Sequence, residues 1–427
     1  MDGRAAGPDA LNFAQVTIVG AGLAGLSAAV VLRGAGVAVT IADSAAQAGG
    51  RCRSYHDPQL GRMIDNGNHL VLSGNAAVTR FRAAIGATVP LAGPEHADFS
   101  FHDLTDGARW TVRINDGPMP WWIASPGRRV PDSGIADYLP LARLLSKREG
   151  RIDARIRTTG PVWSRLIEPV LLAALNTAPV EGSVRLAAGV LRETVVKGGR
   201  AMRPRIAEPD LGAAFIDPAL AWLNARGSAV ALGRRLRALV LEGDRVTGLD
   251  WGAGIEVVGE ESAVILAVPP WVATGLVPDL EAPDDFRAIV NGHFALPAPK
   301  GAPAMLGLFG GTAEWLFAFP DRLSVTVSAA DRLVDMDREA LARMFWGDIC
   351  TALSIDLPMP AWQIVKERRA TFAATPEQNA KRPPAGTRWS NLFLAGDWTD
   401  TGLPATIEGA LRSGEAAAAL APGGRAG

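Results

Sequence analysis

Apolar positions in this chain fall into runs whose period changes at glycine. Val16 to Val19 is a short, mostly β-branched run of the kind that makes a buried strand. Gly20-Ala21-Gly22-Leu23-Ala24-Gly25 interrupts it, and from Leu26 the apolar residues return with helical spacing at Ala29 and Val30. A Gly-Ala-Gly break at 34–36 ends that helix, and Val37 to Ala42 reads as a second strand closing at Asp43. The uncharged stretch from Ala10 to Leu32 is long enough to span a bilayer. The glycines and the change of period favour strand, turn and helix instead. Further along, Val230 to Leu249 predicts a strand and hairpin, and VILAVPP at 264–270 a buried strand with a proline exit. A helix is expected from Pro161 to Asn176, with Leu166, Val170, Leu171, Ala174 and Leu175 as its apolar stripe. Near the end, Leu392 to Ala395 predicts a strand, Gly396-Asp397 a stop, and an alanine-rich helix begins at Thr406.

A length of 427 residues at 48% hydrophobic composition predicts two or three globular domains. A net charge of -1 gives no electrostatic reason to expect nucleic acid. The 2 cysteines, Cys52 and Cys350, support neither a disulfide framework nor a metal site, and both are expected to be reduced thiols in the cytoplasm. Residues 1–12 lack a signal-peptide core and are expected to be a loose tail.

The first strand, Gly20, Gly22, Gly25, helix, second strand and Asp43 form a dinucleotide-binding pattern. The first glycine makes the turn, the second lets backbone approach a pyrophosphate and the third packs helix on strand. The acid accepts hydrogen bonds from the adenosine ribose. Leu23, Ala24 and Ser44 flank these positions and complete the expected contact set.

Gly49-Gly50-Arg51 follows Asp43, Asp65-Asn66-Gly67-Asn68-His69 comes next, and LAGD at 394–397 with PATIEGA at 404–410 closes the chain. With these motifs the sequence resembles the amine oxidase and phytoene desaturase superfamily of flavoproteins. That resemblance implies an α/β fold: a discontinuous, Rossmann-like FAD-binding domain at 14–75, 205–268 and 386–420, and an α+β substrate-binding domain at 76–204 and 269–385. It implies that Arg51 with its neighbour Gly50 lies over the cofactor phosphates, and that Asn66, Gly67, Asn68 and His69 pass beside the isoalloxazine. Leu236 is then expected at the adenine and Ala267 at the strand exit, while Gly396, Asp397, Ala405, Thr406 and Ile407 form the other half of the flavin site. An ionised carboxylate only accepts hydrogen bonds, so Asp397 suits a ribityl hydroxyl. The helix N-terminus at Thr406 suits negative charge on reduced flavin. No cysteine lies near the tail motif, so FAD is expected to bind non-covalently.

Three further segments, at 161–193, 209–228 and 365–377, resemble the hydroxysqualene dehydroxylase family, flavoproteins of bacterial squalene and hopanoid biosynthesis. The likeness runs from about Val16 to Ala418. It departs at Asn68, where glutamine is expected, before Glu168, where an aromatic is expected, and at Trp398, in place of tyrosine. It implies an apolar C30 isoprenoid substrate, a hydride from flavin N5, and a proton donor for the leaving hydroxyl. Glu168 is the first candidate donor, since burial raises a carboxyl pKa; pairing with Arg165 is the alternative. His69 is the second, and Asn176 completes the catalytic set. Of the 12 tryptophans, Trp121-Trp122 lie with Arg128, Arg129, Arg143, Lys147 and Arg148 in 119–151. That segment reads as a peripheral contact with the inner face of the cell membrane or as an ordinary amphipathic helix. Upstream squalene-synthase-like enzymes are expected partners. The rival readings are a carotenoid desaturase and a prenyl-binding escort protein.

Overall fold

The protein is described by a computed structural model over residues 13–145 and 148–421; the expected tail at 1–12 lies outside the described residues. At its centre is a parallel sheet ordered Val230–Ala231, Ala38–Ala42, Gln15–Val19, Ser262–Leu266, Leu392–Leu394. The distant chain ends meet in this sheet. Each strand is apolar on both sides because both faces are covered. One face packs Val16, Ile18, Ile41, Ile265 and Phe393 against the helices Leu23–Gly34 and Ile407–Leu420. The opposite face packs Val19, Val264, Leu266, Leu392 and Leu394 against the Ala238–Val257 hairpin region and the helix Val184–Glu193.

The uncharged stretch that could have spanned a membrane is the strand, turn and helix that its glycines predict. Among the described residues no helix is long and apolar enough to cross a bilayer.

A mixed seven-stranded sheet builds the other half, in the order Trp362–Phe372, Phe286–Phe294, Leu323–Val327, Trp315–Ala318, Met305–Phe309, Ala97–Asp103, Arg109–Ile114. One side of it packs on the helix Arg338–Leu353. The other carries alternate residues Ser324 and Thr326, Asn291 and His293 toward the segment 66–69, as strand alternation requires.

Three details go beyond what the sequence offered. The helix Ala76–Ala84 buries Ala77, Val78 and Phe81 in the core it shares with the helices Leu23–Gly34 and Ile407–Leu420. The helix expected from Pro161 to Asn176 forms over 161–175 with Asn176 as its cap, but contains a π-turn, Trp163–Ile167, ahead of the α-helix Glu168–Leu175. Pro169 has no N–H to donate, which widens the turn before it; Gly212–Ile216 ahead of Pro218 repeats the pattern. Finally, 119–151 holds 3₁₀ turns at Trp121–Ala124 and Ile135–Leu145, the latter containing Pro140, and among its described residues no amphipathic α-helix.

Candidate flavin site

The glycine loop shows why each glycine is there. Gly20 has φ +113°, and a Cβ on it would lie 2.3 Å from the Ala267 carbonyl oxygen. One on Gly25 would lie 1.9 Å from the Gly20 carbonyl oxygen, so these two are demanded by the protein's own packing. A Cβ on Gly22 would meet no protein atom within 4 Å. Protein packing therefore does not demand that glycine, and the space in front of it is open. The helix Leu23–Gly34 starts at Gly22 with neither a side-chain cap nor an acid in its first turn, which suits an anion.

Asp43 sits at the end of its strand, with Oδ2 accepting from Ala21 N at 2.7 Å and Oδ1 from Ala45 N at 2.8 Å. Two lone-pair positions remain for a ribose. Ser44 is exposed beside it. Leu236 is 5% exposed and packed in the core of the sheet's second face.

The 3₁₀ turn Gly50–Cys52 ties three parts of the chain together. Gly22 bridges Gly49, Arg51 reaches the tail, and Cys52 faces the segment 66–69. Arg51 Nη2 donates to Asp397 Oδ1 at 2.7 Å, and its other terminal nitrogen to the Ala370 carbonyl. Burial works against the guanidinium charge, but Asp397 outweighs it and Arg51 is raised overall. The Arg51 side chain is 41% exposed and Asp397's 8%, so the arginine keeps an open face. The expectation gave Asp397 to a ribityl hydroxyl alone; here it also holds Arg51.

Behind Asp397 stands Arg382, which the sequence reading missed. It is 6% exposed, and burial lowers its pKa to about 10. It donates to the carbonyls of Asp397 and Thr399 and to Thr401 Oγ1, fixing the turn before the final helix. Thr406 caps that helix, accepting from Gly409 N at 3.0 Å, with Ala405 before it and Ile407 buried behind. Trp398 replaces the expected tyrosine by laying its indole on Gly396 and donating to the Val268 carbonyl at 2.9 Å.

Asn66 Nδ2 donates to Glu367 Oε2 at 3.2 Å, and Asn68 Nδ2 to Thr326 Oγ1 at 3.0 Å, docking 66–69 on the seven-stranded sheet. Asn68 Oδ1 is buried with no protein partner. His69 is half-buried, with Nδ1 2.8 Å from the Gly67 carbonyl oxygen and Nε2 3.8 Å from Cys52 Sγ. Asn68 and His69 border a narrow gap, too tight for a water molecule, with Ile206, Leu211, Phe317 and Phe319 among its other walls.

Glu168 does not pair with Arg165, which instead meets Asp132 at 2.9 Å. Burial raises the Glu168 carboxyl, opposed by a hydrogen bond from Trp163. Asn176 is buried in a left-handed conformation at the end of its helix. Its amide donates to Thr371 Oγ1 at 2.9 Å and accepts from Ala329 N at 2.6 Å, a clamp between helix and sheet. Its polar groups are therefore engaged by protein.

The sequence model of flavin containing amine oxidoreductases matches residues 23–421. The chain belongs to this family. Within it, the chain is 53% identical over 407 residues to hydroxysqualene dehydroxylase of Rhodopseudomonas palustris, covering 95% of this chain and 97% of that one. It is 48% identical over 405 residues to hydroxysqualene dehydroxylase of Zymomonas mobilis, covering 95% and 98%. Among solved structures, cyclohexylamine oxidase from Brevibacterium oxydans superposes with a TM-score of 0.70 at 16% identity, over 96% of this chain and 99% of that one. The flavin implied by the family fits the residues present: Gly22 leaves room for a phosphate, and Arg51 and Asp397 offer complementary charge.

Proposed function

We propose that this protein catalyses FAD-dependent removal of the allylic hydroxyl of hydroxysqualene, giving squalene in triterpenoid biosynthesis. Near full-length identity to relatives of that name carries the reading. The adenosine-type acid Asp43, the uncapped helix behind Gly22 and the carboxylate at 397 support FAD, held without a covalent bond. Reduced FAD, when bound, supplies the hydride that replaces the hydroxyl.

The chain's own residues do the rest. Asp43 accepts from the ribose, the start of the helix at Leu23 faces the pyrophosphate, and Asp397 orients the ribityl chain while holding Arg51. A hydroxyl leaves as water only if a proton reaches its oxygen as the C–O bond breaks. His69, beside the Arg51 turn, and Glu168, on the helix packed against the aromatic cluster of Trp110 and Phe101, are the proposed donors. Apolar walls exclude water from the allylic centre, and ring faces stabilise a cation there by ~0.5 to 2 kcal/mol.

An insoluble substrate calls for access from a bilayer. We place that contact at Met119, Trp121, Ile135 and Leu139, which are 58%, 71%, 49% and 66% exposed, with Arg128 and Arg143 nearby in sequence.

A carotenoid desaturase would use a similar long hydrocarbon with flavin running in the oxidative direction. Two anaerobic incubations separate the readings: reduced protein with hydroxysqualene, and oxidised protein with phytoene, both followed by mass spectrometry. Squalene in the first alone is expected; a desaturated product in the second alone overturns the proposal.

A further inference from the structure

Cys52 has no part in the motifs that bind nucleotide, yet it stands beside a candidate proton donor. It is 7% exposed and ends the turn whose preceding residue, Arg51, reaches Asp397. Its sulfur lies 3.8 Å from His69 Nε2. The other ring nitrogen, Nδ1, is 2.8 Å from the Gly67 carbonyl oxygen. A carbonyl oxygen only accepts, so Nδ1 carries a hydrogen. In neutral His69, Nε2 is then bare and can only accept from the thiol. The two remaining states are a thiol donating to Nε2, and a thiolate accepting from an Nε2 that has taken the proton.

Around His69 the groups that favour an imidazolium outweigh its burial. Burial opposes an imidazolium, while the Cys52 sulfur, the Gly67 carbonyl and Asp65 favour it, and together they carry His69 up to about 9. Asp65 is itself tied to Ser54, the Leu211 N–H and, at 3.7 Å, Arg322. On the other side, Arg51 stands next to Cys52 and is balanced by Asp397 and Glu367. No other charged group is recorded in direct contact with either partner among the described residues.

We propose that Cys52 is a positioning residue: its sulfur holds a proton on His69 Nε2, and His69 delivers that proton to the hydroxyl that leaves as water. This rests on the dehydroxylation proposed above. The C–O bond breaks with its electron pair on oxygen, which takes the Nε2 proton and departs as water. The carbon takes the hydride supplied by reduced FAD. The pair passes from neutral to one negative charge, beside Arg51, and regains its proton from solvent through the half-buried His69.

The test has a readout independent of turnover. The 5 histidines allow the His69 ring to be assigned by nitrogen NMR in the oxidised, FAD-loaded protein. Its titration midpoint is expected well above 6.5 in the wild type and lower by at least about one unit in Cys52→Ala, one unit being a tenfold change in the equilibrium. Cys52→Ser, closer in shape, serves if the alanine variant does not fold. In the pH profile of squalene formation by reduced protein, the alkaline limb of the variant moves to lower pH, with a loss of at least about twofold at pH 8 and less at pH 6. An unmoved His69 midpoint in a folded, FAD-binding variant overturns the inference whatever the activity. A wild type that makes no squalene while its His69 titration shifts as expected overturns the dehydroxylation reading instead, and with it the proton's destination.

Discussion

Gly22 and Gly25 are equivalent letters in one motif with different physical jobs. Gly25 is demanded by protein, because its Cβ would strike the Gly20 carbonyl; Gly22 faces only the expected phosphate. Gly25→Ala should therefore lower folding stability by about 2 kcal/mol. Gly22→Ala, at an unstrained φ of -75°, should change the stability of cofactor-free protein by less than about 0.5 kcal/mol while weakening FAD binding. Urea unfolding and FAD fluorescence titration measure both, and equal stability losses would refute the assignment. Glu314 gives a second test. Burial pushes its carboxyl from 4.5 up to about 7, so the folded chain keeps a proton that the unfolded chain releases. Its contribution is complete below about 4.5 and is lost as pH rises through 7. Glu314→Gln should flatten the decline in stability between pH 5 and 8; an unaltered slope excludes the mechanism. At this scale Gly20 and Gly25 were legible because backbone geometry fixes residue type at that spacing. Arg382 and the Cys52–His69 contact were not, since nothing local marks residues that meet only after folding.

The last helix does more than close the core. Glu408 is 4% exposed and accepts from Ala77 N at 3.0 Å and Val78 N at 3.1 Å, capping the helix Ala76–Ala84, while Arg412 holds it at 2.8 Å. Removing it leaves two N–H groups without their acceptor and Arg412 short of a partner. Glu408→Ala should cost about 2 to 3 kcal/mol in urea unfolding; a loss below about 0.5 kcal/mol would show that the contact is not stabilising. The parallel strands and the helix at Thr406 were readable from apolar runs and a capping residue. The π-turn before Pro169 was not, because apolar periodicity is nearly the same for π and α geometry over so short a length. The break of 119–151 into 3₁₀ turns follows from Pro140 and from Trp122, whose indole meets Tyr138 edge-on at 5.3 Å rather than facing outward.

For the molecule as a whole, the sequence pointed correctly to both chain ends entering one sheet, since each carries a buried strand followed by a helix. The packing of the helix Ala76–Ala84 was not legible, because it is held by Glu408, more than 300 residues away. The proposed bilayer contact also belongs to this scale. Wild-type protein should float with liposomes containing anionic lipid, and Trp121→Ser should reduce the bound fraction several-fold, as loss of a large interfacial aromatic predicts. Equal flotation would remove the contact from this face. The central claim is that two remote segments hold a flavin whose hydride replaces a hydroxyl on a long hydrocarbon. Its most direct test is a single anaerobic turnover: photoreduced protein is mixed with hydroxysqualene, and flavin absorbance and squalene are followed together. One squalene formed for each flavin reoxidised is the predicted result; reoxidation without squalene, or purified protein that carries and binds no flavin, would contradict it.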